Sequence, residues 1–181
     1  MTTITFKDGV MAADSQQTHV YIDQVECRKL YVINGDLIGL AGNLTDFPKF
    51  INWYMNERKN INDLSIPNRA IDELQALVFS KNKLYFYDHE CIAVPMTGKI
   101  ASIGSGSPYA MGAMMAGSTA QEAIVVSSKL DPNTNAPIYS IDIKDVKNGH
   151  IRPVKYNGSK TTTRKKKKES KVLSKGKRSR G

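Results

Sequence analysis

The first residues of the chain place a hydroxyl group next to the N-terminus. Met1 is followed by Thr2, so removal of Met1 would make Thr2 the N-terminal residue. An N-terminal α-amine has an ordinary pKa of about 7.7–8.0, so near neutral pH it can take the proton of its own residue's hydroxyl. Such a threonine is a nucleophile that carries its own base. The Met-Thr start equally fits an ordinary initiator methionine before a strand, so the rest of the sequence must distinguish the two.

The next residues have the pattern of a tight β-hairpin that brings an acid beside Thr2. Residues 2–6 and 10–13 are short strand-like runs on either side of Asp8-Gly9, a dipeptide that two-residue hairpin turns favour. Pairing across this turn sets Thr3 opposite Asp14. We therefore expect the Asp14 carboxylate next to Thr2.

The other elements predict two kinds of layer. Further strands come in consecutive pairs, at 29–33 with 37–41, 74–80 with 84–88, and 137–143 with 151–154, and residues 91–94 and 100–103 are predicted as further strand segments. Three helices are predicted between them: one capped by Thr45, one capped by Ser107, and one that opens with a capping box at 118–121 and runs to about residue 129. Hairpins with helices in separate groups predict an α+β fold of antiparallel sheets covered by helices.

Charge divides the 181-residue chain into a domain and a tail. Residues 159–181 hold eleven Lys and Arg against one acid, whereas residues 1–158 hold 15 basic and 16 acidic side chains. The tail has too few large apolar residues to offset the entropy of folding, so we expect it to be disordered. It suits contact with nucleic acid or another acidic partner. A solubilising tail without a partner is the alternative.

Composition also limits the cofactors and the compartment. Cys27 and Cys91 are far apart and the three histidines are scattered, so we expect a reduced, cytoplasmic protein with no metal site. No apolar run is long enough for a membrane span and no leader is recognisable. The glycines at 104 and 106 do not form a dinucleotide-binding motif, because its third glycine would fall at Tyr109. We expect no cofactor.

Five short motifs occur in one order along the chain. They are Thr-Thr-Ile at 2–4, Ala-Asp-Ser-Gln-Gln-Thr at 13–18, Arg-Lys-Leu-Tyr at 28–31, Ile-Gly-Leu-Ala-Gly at 38–42, and Ile-Gly-Ser-Gly-Ser-Pro-Tyr-Ala at 103–110. This series resembles proteasome β-subunits and the related bacterial peptidase of the heat-shock locus V type. The resemblance implies the four-layer αββα sandwich of N-terminal-nucleophile hydrolases. It also implies a polypeptide substrate, a homo-oligomeric ring and an ATP-dependent unfoldase as a candidate partner.

The resemblance implies a role for each matching residue. Thr2 matches the nucleophile, Lys29 the active-site lysine, Asp14 the acid paired with that lysine, and Gly39 the oxyanion-hole position. Ser105 matches the serine near the threonine amine, and Asp131 and Thr134 match the acid and the hydroxyl that complete that cluster.

Each of these residues also has a structural interpretation. Asp14 and Lys29 could form a surface ion pair, Gly39 a bend in a sheet, and Ser105 or Asp131 a turn. Arg28 competes with Lys29, since strand alternation allows only one of the two on the active-site face; the motif favours Lys29. The second long helix of the family is missing or reduced to residues 60–73.

The sequence therefore predicts a threonine-type peptidase that acts through an acyl-enzyme on Thr2. Two alternatives stay open. One is a catalytically inactive ring or scaffold protein that binds nucleic acid through its basic tail. The other is an amidase of the same fold that acts on a small amide.

Overall fold

The structure is a computed structural model that describes residues 2–19, 22–58, 71–147 and 153–158. Its strands are β1 (Thr3–Lys7), β2 (Val10–Asp14), β3 (Gln16–His19), β4 (Ile22–Glu26), β5 (Leu30–Ile33), β6 (Asp36–Gly42), β7 (Leu74–Ser80), β8 (Lys83–Tyr87), β9 (Val94–Met96), β10 (Ile100–Gly104), β11 (Ile138–Asp142) and β12 (Val154–Tyr156). Its α-helices are α1 (Phe47–Asn52), α2 (Ser107–Met115), α3 (Ala120–Ser127) and α4 (Ile143–Lys147). A 3₁₀ turn at Leu44–Asp46 precedes α1, and a π-helical turn at Trp53–Glu57 follows it.

The strands form two five-stranded antiparallel sheets and a small ribbon. The first sheet has the order β10-β1-β2-β11-β12, the second has the order β5-β6-β7-β8-β9, and β3 pairs with β4 alone. Asp8 and Gly9 both have positive φ, as the predicted turn requires. Ile4 pairs with Ala13, so the predicted register of the first hairpin is confirmed.

Apolar side chains from both sheets fill the space between them. Ile4 and Met11 of the first sheet pack with Leu37 and Leu77 of the second, and all four side chains are fully buried. Burial of a side chain of this size contributes about 1.5–3 kcal/mol. This shared core fixes the two sheets face to face.

Helices cover the two outer faces. On the first sheet, Ile124 of α3 packs against Ala12, and the Thr5 hydroxyl donates to the carbonyl of Ala120 at 2.9 Å. On the second sheet, Phe50 of α1 and Trp53 of the π-helical turn pack with residues of β6 to β8. The layers therefore run helix, sheet, sheet, helix, and the predicted α+β sandwich of two antiparallel sheets is confirmed.

The beginning of the first helix differs from the prediction. The cap is Asn43 and not Thr45. The Asn43 side-chain oxygen accepts the backbone amide of Thr45 at 3.1 Å. Thr45 lies inside the 3₁₀ turn, and Asp46 precedes α1. The cap moves because a 3₁₀ turn extends the helical segment by three residues.

The caps of the next two helices are each displaced by one residue. Ser107 is the first residue of α2 and not its cap, and its hydroxyl donates to the carbonyl of Ser102 at 2.9 Å. The capping box of α3 is formed by Thr119 and Glu122, one residue later than predicted. In both cases a neighbouring polar side chain offered a similar sequence signal.

The strand predicted at 91–94 begins only at Val94, and the predicted pairs missed the β3–β4 ribbon. Helix α4 was also not predicted. Most of the segment 60–73, and all of the tail 159–181, lie outside the described residues.

Candidate active site

A cleft of about 700 Å³ opens where the chain enters β1. Thr2, Lys29, Gly42, Gly104 and Ser105 all lie on its wall. They come from the start of β1, the segment before β5, the end of β6 and the end of β10. The fold thus brings three of the predicted site residues, Thr2, Lys29 and Ser105, to one cavity.

The backbone of Thr2 is fixed by the loop after β10. The Thr2 carbonyl accepts a hydrogen bond from the Ser105 amide at 2.9 Å. A Cβ on Gly104, whose φ is +88°, would lie 1.8 Å from the same oxygen, so a larger residue cannot occupy this position without displacing Thr2. Gly104 therefore allows the close approach that sets Thr2 at the mouth of the cleft.

A buried ion pair of Lys29 and Asp14 lies next to the Thr3 amide, and Lys29 shares the cleft with Thr2. The Lys29 ammonium donates to Asp14 Oδ1 at 3.0 Å and to the carbonyl of Gln16 at 2.6 Å. Asp14 Oδ1 also accepts the Thr3 amide at 2.8 Å, and Oδ2 accepts the Gln16 amide at 3.0 Å. Lys29 and Asp14 are only 2% and 1% exposed, so this pair is not the surface ion pair of the structural interpretation.

Burial changes the acid-base properties of this pair. It lowers the pKa of the Lys29 ammonium, against the attraction of the Asp14 carboxylate. It also raises the pKa of Asp14, against the effects of Lys29 and of the Thr3 amide. Burial therefore disfavours the charged form of each partner, and the attraction between the two charges opposes this effect.

The structure distinguishes Lys29 from Arg28. Arg28 is exposed; its Nε donates to the Leu30 carbonyl at 2.9 Å, and its guanidinium lies 4.9 Å from the centre of the Tyr31 ring. Lys29 alone of the two lies on the cleft wall. The preference for Lys29 agrees with this placement.

A second polar cluster includes Ser105, whose amide binds the Thr2 carbonyl. The Ser105 hydroxyl donates to Asp131 Oδ2 at 2.7 Å, and the Thr134 hydroxyl donates to the same oxygen at 2.6 Å. Burial opposes ionisation of Asp131, but the hydrogen bonds from Thr134 and Ser105 outweigh it and lower the pKa of Asp131. The three residues that the resemblance groups are thus brought together around one ionised carboxylate.

Thr3 joins this cluster, which the sequence analysis did not foresee. Its hydroxyl lies 2.5 Å from the Thr134 hydroxyl and accepts the Gly106 amide at 3.0 Å. Its own amide is bound by Asp14. Thr3 therefore links the ion pair to the Ser105 cluster, and a second threonine directly after Thr2 was the signal that could have indicated it.

The placement predicted for Gly39 is wrong. Gly39 pairs with Leu30 and Leu77 in the middle of the second sheet, and a Cβ there would lie 2.6 Å from Ile4 and 2.8 Å from Met11. This glycine makes room for the core and does not reach the cleft. Gly42, three residues later, does line the cleft and has φ of +114°.

Comparison with solved structures finds the same fold in proteasome-like proteins. The Thiobacillus denitrificans protein BPH in complex with epoxomicin aligns with a TM-score of 0.58 and 16% identity, over 77% of this chain and 96% of that chain. BPH without the ligand aligns with a TM-score of 0.57 and 17% identity, over 77% of this chain and 95% of that chain. Eukaryotic HslV from Trypanosoma brucei aligns with a TM-score of 0.53 and 20% identity, over 77% of this chain and 99% of that chain. No family model and no curated protein matches the chain.

The fold is therefore an α+β sandwich of two antiparallel sheets covered by helices, and it is the fold of these proteasome-like neighbours. The resemblance to proteasome β-subunits and HslV is confirmed at the level of the fold. At identities of 16–20% the likeness extends to the fold alone.

The described residues hold neither a candidate metal cluster nor a candidate membrane-spanning helix. Within the described ranges, no group of three or more His, Cys, Asp or Glu side chains is placed to hold a metal ion. The helices of the same ranges include none long and apolar enough to cross a membrane.

Proposed function

We propose that this protein is a threonine-type peptidase that hydrolyses peptide bonds through an acyl-enzyme on Thr2, after removal of Met1. The observation that carries the proposal is the position of Thr2. It shares one cleft with Lys29, whose buried ion pair with Asp14 has a length of 3.0 Å. The fold supports it as well, because BPH, which shares this fold, binds epoxomicin.

In the first chemical step, Thr2 Oγ attacks the carbonyl carbon of the scissile bond. Its proton passes to the α-amine of Thr2 and then to the leaving amine, so the C–N bond breaks and an ester on Thr2 forms. Water, deprotonated by the same α-amine, hydrolyses the ester and regenerates Thr2. The positive charge of Lys29 stabilises the negative charge that develops on Thr2 Oγ in both steps, and Asp14 holds Lys29 in place.

The carbonyl oxygen of the scissile bond becomes negatively charged during the attack and requires a hydrogen-bond donor. We assign this role to the backbone amide of Gly42, in place of Gly39, because Gly42 lies on the cleft wall with Thr2. Ser105, with Asp131 and Thr134 behind it, is assigned to the Thr2 amine, which it holds in the orientation for proton transfer.

The proposal extends to assembly and partners. We propose a homo-oligomeric ring that encloses the clefts and admits polypeptide substrates, with an ATP-dependent unfoldase as candidate partner. The basic tail, residues 159–181, is assigned to contact with nucleic acid or another acidic partner through charge neutralisation. The reduced cysteines expected from the sequence favour the cytoplasm.

Two measurements test the nucleophile. The intact mass of the purified chain should lack Met1, because a retained Met1 blocks the amine and excludes the mechanism. A β-lactone or a peptide vinyl sulfone should then attach to Thr2 and abolish peptidase activity. Thr2→Ala should lose both labelling and activity, whereas Thr2→Ser, which keeps amine and hydroxyl, should retain part of the activity.

The alternatives give different outcomes. Labelling at Cys27 or Cys91 in place of Thr2 would overturn the assignment. Labelling of Thr2 with cleavage of small amides but of no peptide would indicate the amidase. Binding through the tail with no labelling and no hydrolysis would indicate the scaffold protein.

A further inference from the structure

One buried carboxylate joins the start of α1 to the start of β7. Asp46 is 1% exposed. Its Oδ2 accepts the backbone amides of Asp72 and Glu73, each at 3.0 Å, and its Oδ1 accepts the Lys49 ammonium at 2.7 Å. Asp46 therefore fixes the backbone at 72–73 from a position 26 residues earlier in the chain.

The backbone that Asp46 holds in turn fixes the end of β6. The Glu73 carbonyl accepts the Asn43 amide at 2.8 Å, and the Asp46 amide donates to the Asn43 carbonyl at 3.0 Å. A Cβ on Gly42 would lie 2.3 Å from the Glu73 oxygen, so Gly42 is packed directly against this segment. Residues 42–43 are thus held from both sides in one closed set of contacts.

This set of contacts ends at the cleft. Gly42 and Glu73 lie on the same wall as Thr2, whereas Asp46 itself does not line the cleft. We propose that Asp46 is a positioning residue for the reaction: it holds the Gly42 amide where that amide donates to the oxyanion. This inference rests on the proposed function of Thr2.

The role depends on both oxygens of an ionised carboxylate. Burial opposes ionisation of Asp46, but the hydrogen bonds from Lys49 and from the Glu73 and Asp72 amides outweigh it, so the pKa of Asp46 lies below its ordinary value. An asparagine has a single acceptor oxygen. It can bind the two amides, but its NH₂ group then faces the Lys49 ammonium without a bond.

Two electrophiles distinguish an effect on the oxyanion from an effect on the nucleophile, because both label Thr2 but only one forms a carbonyl oxyanion. With a β-lactone, Thr2 Oγ adds to the carbonyl, an oxyanion forms, and the ring C–O bond breaks as the ring oxygen takes the proton. With a peptide vinyl sulfone, Thr2 Oγ adds to the alkene carbon β to the sulfone, on the peptide side, and its proton goes to the carbon next to the sulfone, so no carbonyl oxyanion forms. Only the first rate depends on the Gly42 amide.

We expect Asp46→Asn to lower the rate constant for lactone acylation of Thr2 by about tenfold or more, since a 1 Å misplacement can cost roughly 10²-fold. Its vinyl sulfone rate should change little. The kcat for peptides should fall while KM changes little. A second change, Lys49→Gln, supplies an acceptor for the new NH₂ group and should restore part of the lactone rate.

The matched control is Asp36→Asn at the other end of β6. Asp36 accepts the Tyr54 hydroxyl at 2.7 Å and does not line the cleft. The Asp36→Asn substitution should leave the ratio of the lactone rate to the vinyl sulfone rate unchanged. If Asp46→Asn unfolds, as circular dichroism would show, Lys49→Gln alone is the second variant, and it should shift the ratio in the same direction by less.

The outcomes distinguish this role from the proposed function. Equal changes in both labelling rates, or no change in either, would overturn the positioning role while leaving the nucleophile intact. Absence of Thr2 labelling in the unchanged protein would overturn both.

Discussion

At the residue scale, the surroundings of Lys29 change the chemistry of a common side chain. Burial lowers the pKa of Lys29 relative to that of an exposed lysine, while the Asp14 carboxylate opposes this shift and holds the ammonium in place. Arg28, the next residue, stays exposed and contacts Tyr31. Arg28 and Lys29 are adjacent in sequence but have different environments, because the Lys29 side chain is buried and that of Arg28 is exposed.

We predict that Lys29→Ala lowers peptidase activity by about 10² or more, as expected when a preorganised charge is removed. Lys29→Arg should be similarly inactive, because the larger planar guanidinium does not fit the site where the ammonium binds Asp14 Oδ1 and the Gln16 carbonyl. Arg28→Ala should have a small effect. Steady-state kcat/KM for a fluorogenic peptide, with thermal unfolding of each variant, provides the measurement.

Removal of Lys29 leaves Asp14 buried without its partner, so Lys29→Ala should also lower stability. Lys29→Arg keeps the positive charge and separates this effect from catalysis. The reverse ranking, with Arg28→Ala the more damaging, would contradict the assignment.

At the element scale, the ends of strands rather than their middles form the site. β1 begins at Thr3, directly after Thr2; β6 ends at Gly42 and β10 ends at Gly104, and these ends meet at the cleft. The strand centres are occupied by core residues, as Gly39 shows by its packing against Ile4. Glycine at the strand ends permits positive φ and close approach of backbones.

We predict that Gly104→Ala abolishes Thr2 labelling and destabilises the protein. The new Cβ would lie 1.8 Å from the Thr2 carbonyl oxygen, and φ is +88°. The matched control is Gly112→Ala in α2, where no atom lies within 4 Å of an added Cβ. This control should stabilise the protein by about 1 kcal/mol through helix propensity.

Thermal unfolding and the rate of lactone labelling would be measured for both glycine variants. Normal labelling in Gly104→Ala would show that the Thr2 backbone tolerates displacement, and the role given to this glycine would be wrong.

At the scale of the whole molecule, charge and chemistry occupy different parts of the chain. Residues 1–158 are nearly neutral and hold every site residue, whereas residues 159–181 carry eleven basic side chains. The tail lies outside the described residues. Its proposed contact with acidic partners is therefore separable from the cleft.

We predict that a chain ending at Asn157 folds, forms the same oligomer and cleaves small peptides at the rate of the full chain. Binding of the full chain to nucleic acid should weaken steeply with added salt, because counterions are released on binding, and it should disappear with the tail. Size-exclusion chromatography, peptide hydrolysis and fluorescence anisotropy at two salt concentrations measure these properties. Loss of the oligomer or of hydrolysis on truncation would show that the tail belongs to the fold.

The sequence alone predicted most of the hairpins and the α+β fold class, whereas the roles of the site residues followed from the resemblance. Asp8-Gly9 specifies a turn by the backbone conformation that it favours, and that turn fixes the register that brings Asp14 to the Thr3 amide. Alternation along a strand predicted that only one of Arg28 and Lys29 faces the active site. These features depend on neighbours close in sequence, so local rules are sufficient to predict them.

The tertiary structure decided which glycine reaches the cleft and what holds it there. Gly39 and Gly42 lie in one strand, and only the packing of the two sheets places the first in the core and the second at the cleft. The contact of Asp46 with the amides of residues 72–73 spans 26 residues and more. No local pattern encodes such a contact, because it exists only when separate elements have packed.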